Sequence, residues 1–125
     1  MSSLKCIIVD DEQIAIKRIQ FLLSEIDINI DVVGTYKYPL DALKNFLILK
    51  PDIVITDIQM PAMNGLEFLE AIKNTNIVTQ PIIISAYDKP EYLKTAVNLN
   101  LVGYLMKPVT PQQLSDAINI AKINI

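Results

Sequence analysis

Pro81-Ile82-Ile83-Ile84-Ser85 carries apolar side chains at consecutive positions, so both sides of this short run are hydrophobic. A half-solvated strand would alternate. A run apolar on both faces fits a parallel sheet covered by helices above and below. Working outward, similar runs recur at Cys6-Ile7-Ile8-Val9, Asp31-Val32-Val33-Gly34 and Ile53-Val54-Ile55-Thr56, and again from Val102 to Met106. Amphipathic stretches separate them. From Gln13 to about Ile26, the set Ile19, Leu22, Leu23 and Ile26 recurs at helical spacing. Further helices are expected from Pro39 to about Leu49, from Leu66 to Lys73, from Pro90 through Leu93, Ala96 and Val97, and from Pro111 onward. Proline suits a first helical turn, where its missing N–H costs nothing.

Five strand–helix units imply an α/β fold, because parallel strands need helical crossovers. Right-handed crossovers leave few topologies, and the flavodoxin-like doubly wound five-stranded sheet of order 2-1-3-4-5, with five helices, is the expectation. The 125 residues read as one domain over 1–125, with no repeat, linker or output domain in the chain. No apolar run approaches the ~20 residues of a membrane helix. The start, Met1-Ser2-Ser3-Leu4-Lys5, lacks a signal-peptide core, so the expected location is cytoplasmic. The single cysteine, Cys6, excludes an internal disulfide and a cysteine-cluster zinc site.

The absence of histidine removes Ser-His-Asp and Cys-His catalysis, His-ligated zinc and imidazole pH switches together. A net charge of −3, with eleven scattered Lys and Arg, argues against a direct grip on nucleic acid. Chemistry is left to carboxylates, hydroxyls, lysine or a hard metal ion. In doubly wound sheets the functional crevice lies beyond the carboxyl ends of the strands. Those ends carry Asp10-Asp11, Asp57, Ser85 and Lys107-Pro108, while the second strand, ending near Thr35, offers nothing distinctive. Asp10, Asp11 or Glu12 alone could simply cap the next helix. The conjunction says more: crowded carboxylates repel unless a cation joins them or one is protonated. Oxygen ligands without histidine point to Mg²⁺ or a similar hard ion. A neighbouring lysine suits a phosphoryl group as a point charge.

The segments Ile8-Val9-Asp10-Asp11-Glu12, Thr56-Asp57-Ile58-Gln59-Met60-Pro61-Ala62-Met63-Asn64-Gly65, Ile84-Ser85-Ala86 and Gly103-Tyr104-Leu105-Met106-Lys107-Pro108 resemble, in order, the receiver domain of two-component response regulators. The resemblance implies that Asp57 is the phosphoacceptor, taking its phosphoryl group from a sensor histidine kinase, a phosphotransfer protein or a small acyl phosphate. It implies Mg²⁺ (or Mn²⁺) held by Asp10, Asp11, Asp57 and the backbone carbonyl of Gln59. Lys107 would pair with the phosphoryl group, and Ser85 would donate a hydrogen bond to it. Ser85 and Tyr104 would form the switch, and the Lys107-Pro108 bond would be cis. Such a domain promotes its own phosphorylation and dephosphorylation without being a turnover enzyme. The alternative within the family is a degenerate pseudo-receiver that acts as an interaction module, against which the complete set of residues argues. An aspartyl-phosphate hydrolase would need a second Asp two residues after Asp57, where Gln59 stands. A flavin module would need a phosphate cradle where Asp10-Asp11-Glu12 would repel one.

Two surfaces stand out as partner contacts. On the first helix, Ile14, Lys17, Arg18 and Phe21 fall opposite the core face, and the family's kinases dock on this helix. On the last helix, Leu114, Ile118, Ala121 and Ile125 are expected to face the sheet. Ile120 and Ile123 then point away, as an apolar patch for a homodimer or an output partner.

Overall fold

A computed structural model describes residues 3–27 and 29–125. The apolar runs form β1 (Leu4–Val9), β2 (Ile30–Tyr36), β3 (Ile53–Thr56), β4 (Gln80–Ser85) and β5 (Gly103–Met106). Between and after them lie α1 (Gln13–Ile26), α2 (Pro39–Leu49), α3 (Gly65–Lys73), α4 (Pro90–Ala96) and α5 (Pro111–Asn124), and a 3-10 turn at Val97–Leu99 extends α4. All strand pairs are parallel, in the order β2-β1-β3-β4-β5. The expected doubly wound sheet is therefore the observed one.

Successive residues of β4 go to opposite sides, as the two-residue period of a strand requires. Ile82 and Ile84 pack with Ile19, Leu23, Leu114 and Ile118, whereas Ile83 packs with Phe46, Phe68 and Ile72. This is why β4 has no polar alternation: α1 and α5 cover one face, and α2, α3 and α4 the other. The register pairs Val9 with Thr56 and Thr56 with Ile83, so β1 and β3 end level. Asp10 and Asp57, each the residue after its strand, are thereby set side by side.

Local signals account for several helix boundaries. Capping boxes start α3 and α5: Asn64 Oδ1 accepts from the Glu67 N–H at 2.8 Å, and Thr110 Oγ1 from the Gln113 N–H at 3.2 Å. At α1 the N-cap residue Glu12 makes no side-chain cap. Its own N–H is instead held by Asp10 Oδ1 at 2.9 Å, a local turn contact, so no carboxylate of this triplet caps the first helical N–H groups.

Three expectations are corrected. Ile125 does not face the sheet but is 55% exposed. By that point α5 has run past the starting edge of β4, where Asn124 Nδ2 meets Gln80 Oε1 at 3.1 Å, leaving little sheet beneath it. β2 runs from Ile30 to Tyr36, longer than its apolar run, because backbone pairing continues from Leu4↔Ile30 to Val9↔Tyr36 whatever the side chains. Ile16 and Ala117 join the core, to which Ile26 contributes only half-buried.

Candidate functional site

Lys107, the residue after β5, reaches back across the strand ends. Its Nζ donates to Asp10 Oδ2 at 2.9 Å and Asp57 Oδ2 at 3.0 Å, with Glu12 Oε1 at 3.5 Å. The other oxygen of each buried acid rests on a backbone N–H: Asp10 Oδ1 on Glu12, and Asp57 Oδ1 on Ile58 at 2.7 Å. Asp10 is 1% exposed and Asp57 7%. Burial raises the Asp10 carboxyl above its ordinary range, against the opposing pull of Lys107 and the Glu12 N–H. Burial works the other way on the Lys107 ammonium, but its bonds to Asp10 and Asp57 prevail and raise it above the usual lysine range. Two carboxylates and one lysine thus share a single positive charge.

Asp11 completes the acidic group. Carboxylate oxygens of Asp10, Asp11 and Asp57 lie within 4.8 Å of one another, which a single small cation can span. Three hard oxygen donors without nitrogen or sulfur suit Mg²⁺ or Mn²⁺. Beside them opens a cavity of about 280 Å³ lined by Asp11, Glu12, Asp57, Gln59, Ala86, Tyr87 and Lys107. The loop from β3 to α3 is tightly folded over Asp57. A Cβ on Gly65 would stand 1.8 Å from the Asp57 carbonyl oxygen, and the Gly65 N–H donates to the Ile58 carbonyl at 2.8 Å. Only glycine fits there.

Ser85 and Tyr104 lie next to this cavity without lining it. Ser85 is buried at the end of β4, and its Oγ accepts from the Tyr87 N–H at 3.1 Å. The Tyr104 phenol donates to the Tyr87 carbonyl at 2.6 Å, and its ring packs in the cluster that includes Tyr92. Burial raises the Tyr104 phenol, with Asp88, Tyr92 and Asp57 adding to the shift. The Lys107-Pro108 peptide is cis, as the family resemblance implies.

The foreseen contact residues are dispersed. Ile14 is 84% exposed and Phe21 61%. Ile14 and Arg18 line a groove of about 360 Å³ with Glu12, Lys107, Pro108 and Val109, but Phe21 lies outside it. Arg18 is not free, since its guanidinium donates to the Val109 carbonyl at 2.8 Å. Ile120 and Ile123 are exposed on α5, as expected. Tyr92 went unnoticed in the sequence: its phenol accepts from Gln59 Nε2 at 3.0 Å across 33 residues, and no local signal announces such a pair.

A sequence profile of the response regulator receiver domain matches residues 6–119. The chain is a response regulator receiver domain. Among its relatives is an uncharacterized response regulatory protein of Staphylococcus epidermidis, 37% identical over 116 residues, covering 93% of this chain and 45% of the relative. Another is a protein-glutamate methylesterase/protein-glutamine glutaminase of Clostridium acetobutylicum, 34% identical over 117 residues, covering 92% of this chain and 34% of that protein. This receiver spans about half the length, or less, of the curated relatives it matches. Among solved structures, the receiver domain of NarL from Mycobacterium tuberculosis superposes with a TM-score of 0.87 at 25% identity, over 98% of both chains. The isolated receiver domain of RcsB from Salmonella enterica, solved with the phosphomimetic BeF₃⁻, gives 0.85 at 25% identity, over 94% of this chain and 87% of that one. Among the described residues of this receiver, no helix is long and apolar enough to cross a membrane.

Proposed function

We propose that this domain works in the cytoplasm and that Asp57 accepts a phosphoryl group from a phosphohistidine of a sensor histidine kinase or phosphotransfer protein, or from a small acyl phosphate. A carboxylate oxygen of Asp57 bonds to phosphorus as the phosphorus–nitrogen (or phosphorus–oxygen) bond of the donor breaks. The electron pair leaves with the donor, and the product is an aspartyl phosphate. One observation carries this reading: Asp57 opens onto the cavity with one oxygen fixed by the Ile58 N–H and the other 3.0 Å from the Lys107 ammonium. Phosphoryl transfer asks a protein for positioning and charge neutralisation more than for covalent chemistry, and this site offers both.

Asp10, Asp11, Asp57 and the backbone carbonyl of Gln59 would hold Mg²⁺ or Mn²⁺. A divalent ion there supplies charge neutralisation for the incoming phosphoryl oxygens. Lys107 would pass from the Asp57 carboxylate to a phosphoryl oxygen as a point charge. The Ser85 hydroxyl, which now serves only as acceptor for the Tyr87 N–H, keeps its proton for a second phosphoryl oxygen. Movement of the loop between β4 and α4 toward that oxygen would loosen the Tyr87 carbonyl that holds Tyr104. This gives a local charge change a path to the α4–β5–α5 surface. Ile14, Arg18 and Phe21 would meet the kinase. Ile120 and Ile123 would meet an output partner or a second copy. That the RcsB receiver was solved in the presence of a phosphomimetic supports a phosphoacceptor role for the shared fold.

Incubation with acetyl phosphate and Mg²⁺ should add one phosphoryl group, read by intact-protein mass spectrometry. Asp57→Asn and chelation should each abolish it. No gain in the wild type, or a gain that survives Asp57→Asn, overturns the assignment.

A further inference from the structure

Beside the charged group, Gln59 from the loop after β3 and Ala86 and Tyr87 from the loop after β4 line the cavity. Gln59, two residues beyond Asp57, donates its Nε2 to the phenol of Tyr92 at 3.0 Å. Tyr92 sits on the first turn of α4, half-buried, with its ring against the core cluster of that face. The Lys89 ammonium lies 5.4 Å from the Tyr92 ring and 5.7 Å from the Tyr87 ring, so one cation bridges the two aromatics. Tyr92 is therefore anchored on two sides, and Gln59, exposed and otherwise free to rotate, is anchored by Tyr92.

We propose that Tyr92 is a positioning residue that sets the lifetime of the phosphoryl group on Asp57 by holding the Gln59 amide out of the path of attacking water. This rests on Asp57 being the phosphoacceptor. Loss of the group is a hydrolysis: a water oxygen bonds to phosphorus, the bond from phosphorus to the Asp57 oxygen breaks, and carboxylate and inorganic phosphate result. The water must approach in line with the breaking bond. Near Asp57 the cavity offers Asp11, Glu12, Lys107 and one carboxamide, that of Gln59. A carboxamide both donates and accepts, so a free Gln59 is able to hold that water where a hydrocarbon side chain would not. While its N–H is engaged by Tyr92, the amide is turned toward α4 and this service is withheld.

Tyr92→Phe removes only the phenol oxygen and keeps the ring and its contact with Lys89. The variant should fold as the wild type does, melting at most a few degrees lower, and lose its phosphoryl group about fivefold faster, the effect of releasing one hydrogen bond of ordinary strength. In a Gln59→Ala background the same substitution should change nothing. Before any phosphorylation, the side-chain amide resonances of Gln59 should move in the Tyr92→Phe spectrum. Normal phosphorylation at Asp57 with equal lifetimes in wild type and Tyr92→Phe would overturn the inference and leave the phosphoacceptor role intact. An acceleration that persists without Gln59, or Gln59 resonances that do not move, would overturn it as well. A wild type that takes up no phosphoryl group would instead remove the phosphoacceptor reading, and this inference with it.

Discussion

Gly65 shows how little freedom single positions have near Asp57. Its φ is not positive, so glycine is not required for backbone conformation. It is required for space, because a Cβ would meet the Asp57 carbonyl oxygen at 1.8 Å. Both partners are main chain, and no side chain can yield. Gly65→Ala should therefore push the loop between β3 and α3 off the strand end and tilt Asp57 away from Lys107. Misplacing a reacting group by about an ångström costs about a hundredfold in rate, so acetyl-phosphate labelling should slow by ten- to a hundredfold. Labelling at the wild-type rate would mean that the loop shifts without moving Asp57. The same residue illustrates what was legible beforehand. Asp57 and Gly65 both stand in the segment that resembles the family, but the clash that makes glycine obligatory needed the folded loop.

At the scale of elements, α1 and α5 are joined at their far ends by an ion pair between Asp27 and Lys122. Asp27 is the C-cap residue of α1, and its side chain is largely shielded. The bond to Lys122 holds its carboxyl below the usual carboxylate range, with the Asn29 N–H assisting against the effect of burial. A depressed folded-state value means that the unfolded chain takes up the proton more readily. The pair therefore stabilises the fold fully above the ordinary aspartate value of about 3.9, and this contribution fades as the pH falls through the lower folded value. Asp27→Asn should lower the melting temperature at neutral pH, and the gap to wild type should narrow progressively as the pH falls below about 3.9. A gap independent of pH would show that the Asp27 charge does not carry the effect. Helix periodicity located both helices, since Ile19, Leu22 and Leu23 on α1 and Leu114, Ile118 and Ala121 on α5 are buried as read. It could not show which charged residues meet, because that depends on how the two helices cross on the sheet.

For the whole molecule, the two faces of the sheet divide the labour. The face under α1 and α5 holds the groove beside Lys107, while α4 and β5 carry Tyr92 and Tyr104 toward the opposite side. The exposed apolar residues Leu93 on α4 and Val97 in the turn after it, with Ile120 and Ile123 on α5, leave hydrocarbon in water at positions where an isolated domain gains nothing from it. Sedimentation of the wild type with BeF₃⁻ should reveal self-association that an Ile120→Asp, Ile123→Asp double variant lacks. If wild type and variant are monomers with and without the mimic, a second copy is rejected as the partner of this surface.

Strand and helix order, the parallel sheet and the roster Asp10, Asp11, Asp57, Ser85 and Lys107 could all be read along the chain. Apolar runs mark the strands, and the last residue of a parallel strand necessarily opens on the functional rim. These are local features, set by period and position. Other contacts join residues far apart in sequence: Arg18 with Val109, Gln59 with Tyr92, Asp27 with Lys122, and Gln80 with Asn124. Their existence depends on helix rotation, on crossing geometry and on where α5 outruns the sheet, quantities fixed by packing many side chains at once. That is why periodicity places Ile125 wrongly and gives no sign of Tyr92, whereas the position of Asp57 after β3 follows from the strand alone.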